Sequence, residues 1–132
     1  MIRTYLDAGV LIAAARGKEP IAVRSLEILD DPNRQFVSSI FLRLELLPKP
    51  TYFKNSSEVE FYEAVLDSVV EWADATDLIV NEAYKEACRF GLAALDALHL
   101  AAAASVGADE LVTTESATKP IHRTQSVRVV SL

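Results

Sequence analysis

Short segments rich in β-forming residues recur along this chain, the earlier ones separated by stretches with helical patterning. Ile2–Leu6, Gln35–Ser38, Glu110–Thr114 and Ser126–Leu132 carry the strand signal. Between them, Val10–Ala15 reads as a helix ended by Gly17 and Pro20, and Ile21–Leu29 has apolar residues at helical spacing. Asp30-Asp31-Pro32-Asn33 is a turn signal. A further helix carries Phe41, Leu42, Leu44, Glu45 and Leu46, with Ser38 or Ser39 as its cap and Pro48 and Pro50 as its stop. Asn81–Phe90, closed by Gly91, and alanine-rich Asp96–Val106, closed by Gly107, complete the helical set. Consecutive strands joined through helices cannot pair as hairpins. They predict an α/β fold: one domain over residues 1–132 with a central, mostly parallel β-sheet flanked by α-helices.

Two intermediate regions are less regular. Ser56-Ser57-Glu58 starts a helix with Phe61, Val65, Val69 and Trp72 at helical spacing. Thr76–Val80 reads equally as strand or loop. From Glu58 to Glu86 nine acids stand against one base, Lys85, whereas the segment from Ser116 onward holds Lys119, Arg123 and Arg128 and no acid. Most acids of the first run fall between the apolar positions, as on a solvated helix face. The net charge of −6 argues against bulk electrostatic binding of nucleic acid but leaves a local basic edge open.

The single cysteine, Cys88, excludes an internal disulfide and a cysteine-based zinc cluster, and its helical setting predicts a small buried thiol. The amino terminus runs directly into a strand, so no secretory leader is expected. The longest apolar stretch, Leu92–Val106, contains Asp96 and His99 and is too short and polar to span a bilayer. These features predict a cytoplasmic protein without a membrane partner.

Four acids lie in apolar rather than charged surroundings. Asp7 sits between Tyr5-Leu6 and Val10-Leu11-Ile12, Glu45 between Leu44 and Leu46-Leu47, and Asp96 within "GLAALDALHLAAAA". Glu115 directly follows the strand that ends at Thr114. Each belongs to the end of a strand or to a helix start near it, and in a parallel sheet those places converge on one edge. Carboxylates gathered there repel one another unless a cation lies between them. Oxygen ligands suit a hard divalent ion, Mg²⁺ or Mn²⁺, and the chemistry that follows is metal-assisted attack of water on a phosphodiester. His99, three residues beyond Asp96, shares its helix face; packing or hydrogen bonding suits an imidazole better than a place among hard oxygen ligands. His122 is expected on the surface. Arg16, Lys18, Arg43, Lys49, Lys119 and Arg123 are the candidate phosphate contacts.

These residues resemble the PIN domain ribonucleases, especially the VapC-like toxins of bacterial and archaeal toxin–antitoxin pairs. "YLDAGVLI" is similar to the family's opening strand, with its first metal-binding aspartate at Asp7. "VSSIFLRLEL" is similar to the segment bearing the second acid, Glu45. "LDALHLAAAASVGADELVTTE" is the most specific part, with the third and fourth acids at Asp96 and Glu115 and an accompanying hydroxyl at Thr113. The resemblance covers nearly the whole chain. It implies a Mg²⁺- or Mn²⁺-dependent endoribonuclease with an RNA substrate, an antitoxin partner that blocks the site, and a homodimer. The acidic helix from Glu58 to Trp72, with Tyr62 as an exposed aromatic, is a candidate surface for either protein partner.

Two departures from the family pattern bear on activity. Ala8 and Gly9 follow the first aspartate where the family has polar side chains, and Glu115 stands where aspartate is usual. The first loses a side chain that would help to hold a metal-bound water or a phosphate. The alternative is therefore a PIN-fold module that cuts weakly or not at all and binds RNA or a protein. A phosphatase with Asp7 as its nucleophile would want a second aspartate two residues later, where Gly9 stands.

Overall fold

The computed structural model describes residues 1–132. Five strands form one parallel sheet: β1 (Ile2–Leu6), β2 (Arg34–Ser39), β3 (Glu71–Ala73), β4 (Glu110–Thr113) and β5 (Arg128–Ser131), in the order β3-β2-β1-β4-β5. Seven α-helices cover it: α1 (Ala8–Arg16), α2 (Ile21–Leu29), α3 (Ile40–Leu46), α4 (Pro48–Tyr52), α5 (Ser56–Asp67), α6 (Asp77–Phe90) and α7 (Ala94–Ser105). A short 3₁₀ turn, Pro120–Arg123, precedes β5. No helix is long and apolar enough to cross a membrane.

Side chains alternate across the sheet, and each face has its own core. Tyr5, Val37 and Leu111 pack with Ile79, Ala83, Leu100 and Ala101 under α6 and α7. Leu6, Phe36 and Val112 pack with Val10, Leu11, Leu42, Tyr62 and Leu66 under α1, α3 and α5. Strand β1 is central and pairs with both β2 and β4, with Tyr5 opposite Val37 on one side and Leu111 on the other. Continuing the alternation, residue 7 falls on the Tyr5 side, toward α7. That places Asp7 at the carboxyl end of the central strand, on the face that α7 covers.

Several sequence expectations change. Trp72 is not on the helix before it: α5 ends at Asp67, where Ser68 Oγ and its backbone N–H both turn back to Val65 O. The Val70 N–H then bonds Phe36 O at 2.9 Å, and residues 71–73 add to the free edge of β2 as β3. Thr76–Val80 is neither strand nor loop; Thr76 Oγ1 accepts from the Ile79 N–H and caps α6. Pro48 stops α3 but starts α4, because a proline is acceptable in a first helical turn, where its missing N–H has no partner to lose. Tyr62 is buried (1 %) rather than exposed, and its hydroxyl donates to Glu58 Oε1 at 2.6 Å. Cys88 is exposed, because α6 turns Ile79 and Ala83 inward and leaves position 88 on the outer side.

Candidate active site

Asp7 ends β1 and begins α1. Its backbone N–H bonds Val112 O at 2.9 Å, tying it to the neighbouring strand β4. One carboxylate oxygen, Oδ1, accepts from the Ala8 N–H at 2.9 Å and caps the helix. The other, Oδ2, accepts from the Thr113 hydroxyl at 2.8 Å. Thr113 reaches it because β4 alternates as β1 does, with Leu111 and Thr113 on the same face. The same hydroxyl accepts from the Glu115 N–H at 3.0 Å, so Thr113 joins the first and last acids of the set. The Glu115 carbonyl is held in turn by Ser131 Oγ at 2.6 Å and His122 Nε2 at 3.1 Å. His122 is thus half-buried rather than a free surface residue.

Glu45 comes from α3, just beyond β2, and its Oε1 lies 2.8 Å from His99 Nε2. The ligand atoms of Asp7, Glu45 and His99 all lie within 4.8 Å of one another. Asp96, in the first turn of α7, is half-buried beside them. Burial raises the Asp7 carboxyl above the ordinary range; the Thr113 hydrogen bond and His99 work against that rise, and the Glu45 charge adds to it. Burial likewise raises Asp96, and the charges of Asp7, Glu115 and Glu45 push in the same direction. These acids therefore feel one another.

No lysine or arginine pairs with Asp7, Asp96 or Glu115, and the side chain that contacts Glu45 is the His99 imidazole. A donor set made mostly of carboxylate oxygens, two of them raised by burial and further by their neighbours' charges, fits a hard divalent cation. The helix amino ends at Asp7 and Asp96 add favourable dipole fields for negative charge, which lowers the cost of gathering acids there.

The cations divide. Arg16 and Lys49 line the same groove as Glu45, a depression of about 690 Å³ that also holds Phe53, Asn55 and Glu58. Arg16 has a loose partner there, Glu58, at 3.9 Å. Arg43 instead pairs with Glu63 at 3.4 Å and lines a separate cleft with Ile40 and Thr51. Arg123 donates to Phe90 O, and Lys18 and Lys119 are exposed outside the groove. Of the basic candidates, the structure brings Arg16 and Lys49 beside an acid of the set.

Two functional hydroxyls escaped the sequence. Tyr5 OH lies 2.7 Å from His99 Nδ1 and 2.6 Å from Ser39 Oγ, all three residues being buried. Ser39 sits at the N-cap position of α3 but makes no cap hydrogen bond, because its side chain is turned to Tyr5. The signal was present in Tyr5 standing two residues before Asp7, hence on the same strand face. Gly9 also changes meaning. A Cβ there would collide with Thr114 Oγ1, so the space where a side chain would start is filled by the residue just beyond β4.

A sequence model of the PIN domain family matches residues 4–119. Among solved structures, VapBC2 from Rickettsia felis bound to a DNA fragment from their promoter is similar, with a TM-score of 0.75 and 18% identity over 99% of both chains. DNA-bound VapBC from Salmonella typhimurium gives a TM-score of 0.68 at 17% identity, over 99% of this chain and 98% of that one. At such identities the likeness is one of fold. No curated protein sequence matches the chain.

Proposed function

The chain belongs to the PIN domain family, and from that premise we propose that it is a divalent-metal-dependent endoribonuclease of the VapC toxin type. The observation that carries this reading is the set of mutually repelling carboxylates at the carboxyl end of the central strands, with no lysine or arginine to balance Asp7, Asp96 or Glu115. The family match and the VapBC fold neighbours support a nuclease of this kind.

In this proposal Asp7 and Asp96 are the principal ligands of Mg²⁺ or Mn²⁺, and Glu45 and Glu115 complete the pocket directly or through waters. When bound, the cation lowers the pKa of its water and neutralises charge on the transferring phosphate. Thr113 holds Asp7 by its hydroxyl and ties Glu115 to the same point. Glu45, a third exposed and lining the groove, is suited to orienting the attacking water and taking its proton. Arg16 and Lys49, in the groove beside Glu45, are suited to RNA phosphates on either side of the scissile bond. Arg43 is a weaker candidate for that work, since Glu63 already engages it.

The same reading implies an antitoxin that covers the groove, a homodimer, and a cytoplasmic setting, with residues 1–132 acting as one PIN domain. Leu44, Tyr52 and Phe53, all strongly exposed around α3 and α4, give a protein partner apolar surface beside the acids.

The test is cleavage of RNA by purified protein with Mg²⁺ or Mn²⁺, against EDTA and an Asp96→Asn variant. Activity lost in both controls, on the order of a thousandfold for the variant, supports the nuclease; that loss corresponds to about 4 kcal/mol of transition-state stabilisation. Unchanged cleavage by Asp96→Asn would overturn the site, and no cleavage by the native chain under any metal would favour a binding module.

A further inference from the structure

The hydrogen bonds between Ser39, Tyr5, His99 and Glu45 form a continuous chain that runs from three buried residues out to a partly exposed carboxylate, with spacings of 2.6, 2.7 and 2.8 Å. Its direction follows from what each group can donate. An ionised Glu45 only accepts, so the proton at the His99–Glu45 contact sits on Nε2. A neutral imidazole with its proton on Nε2 has a bare Nδ1, which must accept; Tyr5 OH therefore donates to it. With its proton committed, the Tyr5 oxygen accepts, and the Ser39 hydroxyl donates to it. All three hydrogens point toward the acid site.

We propose that Tyr5 and His99 are positioning residues for Glu45. The Ser39–Tyr5 pair selects the Nε2-protonated tautomer of His99, and that N–H holds the Glu45 carboxylate beside Asp7. The role rests on the nuclease reading above for its consequence in catalysis, but the tautomer itself does not. Rigidity supports it: Tyr5 and Ser39 are 0 % exposed and His99 is 1 % exposed, whereas Glu45 stands on a seven-residue helix with its side chain a third in solvent. An unanchored glutamate there would sample several rotamers; one with a fixed donor 2.8 Å away keeps its oxygen where a cation or a water needs it. The same tautomer withholds Nε2 from metal ligation, leaving the pocket to oxygen donors.

The test uses the whole chain labelled with ¹⁵N-histidine at mildly alkaline pH, with His122→Gln to assign the two imidazoles. Native protein should show His99 protonated at Nε2, both without metal and with Mg²⁺. Tyr5→Phe, which keeps the ring and removes the donor, should show mixed tautomers and an Mn²⁺ affinity about 10- to 100-fold weaker, the usual effect of losing a supporting hydrogen bond around metal ligands. RNA cleavage should then lose kcat with KM little changed. Ser39→Ala, a smaller lesion in the same chain, should move the tautomer and the affinity in the same direction and less. His99 protonated at Nδ1 in the native protein, or moving there when Mg²⁺ is added, would overturn the proposal. So would a Tyr5→Phe protein with native tautomer and native Mn²⁺ affinity. A native chain that cuts no RNA, yet shows both responses in Tyr5→Phe, would sink the nuclease and keep the positioning role; cleavage unchanged by Tyr5→Phe would do the reverse.

Discussion

The two edges of this one sheet treat charge in opposite ways. At the amino ends of the strands, acids meet arginines: Arg3 with Glu71 at 2.5 Å, Arg34 with Asp31 at 3.2 Å and with Glu110 at 3.0 Å, and Arg128 with Glu110 at 3.7 Å. At the carboxyl ends Asp7, Glu45, Asp96 and Glu115 share a neighbourhood in which no lysine or arginine pairs with any of the four and His99 bonds Glu45. The first arrangement balances itself and contributes to holding the strands in register. The second leaves negative charge unbalanced in half-buried surroundings, which costs stability and creates affinity for a cation. The difference separates acid that merely charges a surface from acid that makes a site: the run from Glu58 to Glu86 has more carboxylates, yet Glu63, Glu71 and Glu82 each have a basic partner.

The largest effect on stability should come from breaking the balanced edge. Arg34 is 11% exposed and serves Asp31, Glu110 and the Thr4 hydroxyl together. Arg34→Met would take this donor from Asp31 and the Thr4 hydroxyl and leave Glu110 with only Arg128, at 3.7 Å. A loss of about 3 kcal/mol is expected, the lower end for removing one partner of a buried pair, or about 10 °C in Tm for a chain of this size. Mn²⁺ affinity per folded molecule should not change. A fall in affinity equal to that of an acid-site variant would erase the distinction between the edges.

Next in size is the response of the unbalanced edge to metal. A divalent cation that binds the folded chain and not the unfolded one adds about 2.7 kcal/mol at a hundred times its Kd. Thermal melts with and without Mg²⁺ or Mn²⁺ should show that gain in the native protein and in Arg34→Met. Asp96→Asn should show little of it. Equal stabilisation of all three would place the cation elsewhere.

How far the sequence could see follows from the same contrast. Alternating strands and helices made the parallel sheet legible, and the rule that ligands sit at strand carboxyl ends made Asp7, Asp96 and Glu115 stand out. Strand β3 was not legible, because three residues on a sheet edge carry no periodicity of their own; the free edge of β2 defines them. The network behind the acids was hidden for a related reason. Tyr5 and Ser39 lie 34 residues apart and meet through the pairing of β1 with β2, which local pattern does not report. The packing around Gly9 was not legible either, since nothing near it in sequence announces that Thr114 stands where a Cβ would be.

The smallest effect is also the one with a counterintuitive sign. The Asp96 carboxyl is raised above its ordinary range in the fold by burial and then by the Asp7 charge. A raised carboxyl favours the folded state while it is protonated. That contribution is whole below the unfolded pKa, about 3.9 for aspartate, and is lost as pH rises through the folded value. Above that folded value the metal-free fold therefore carries the cost of an ionised Asp96 near other carboxylates. Removing the charge in Asp96→Asn should raise Tm in EDTA at neutral pH, although the proposed function needs the same carboxylate for cleavage. Acidification from neutral toward mildly acid pH should stabilise the native chain relative to the variant, because only the native chain has that charge to lose. Glu110→Gln at the balanced edge should do the opposite and lower Tm, since it weakens an attraction rather than a repulsion. If Asp96→Asn also lowers Tm in EDTA, the acids at the carboxyl edge are held by contacts that outweigh their repulsion, and the two edges differ less than their charges imply.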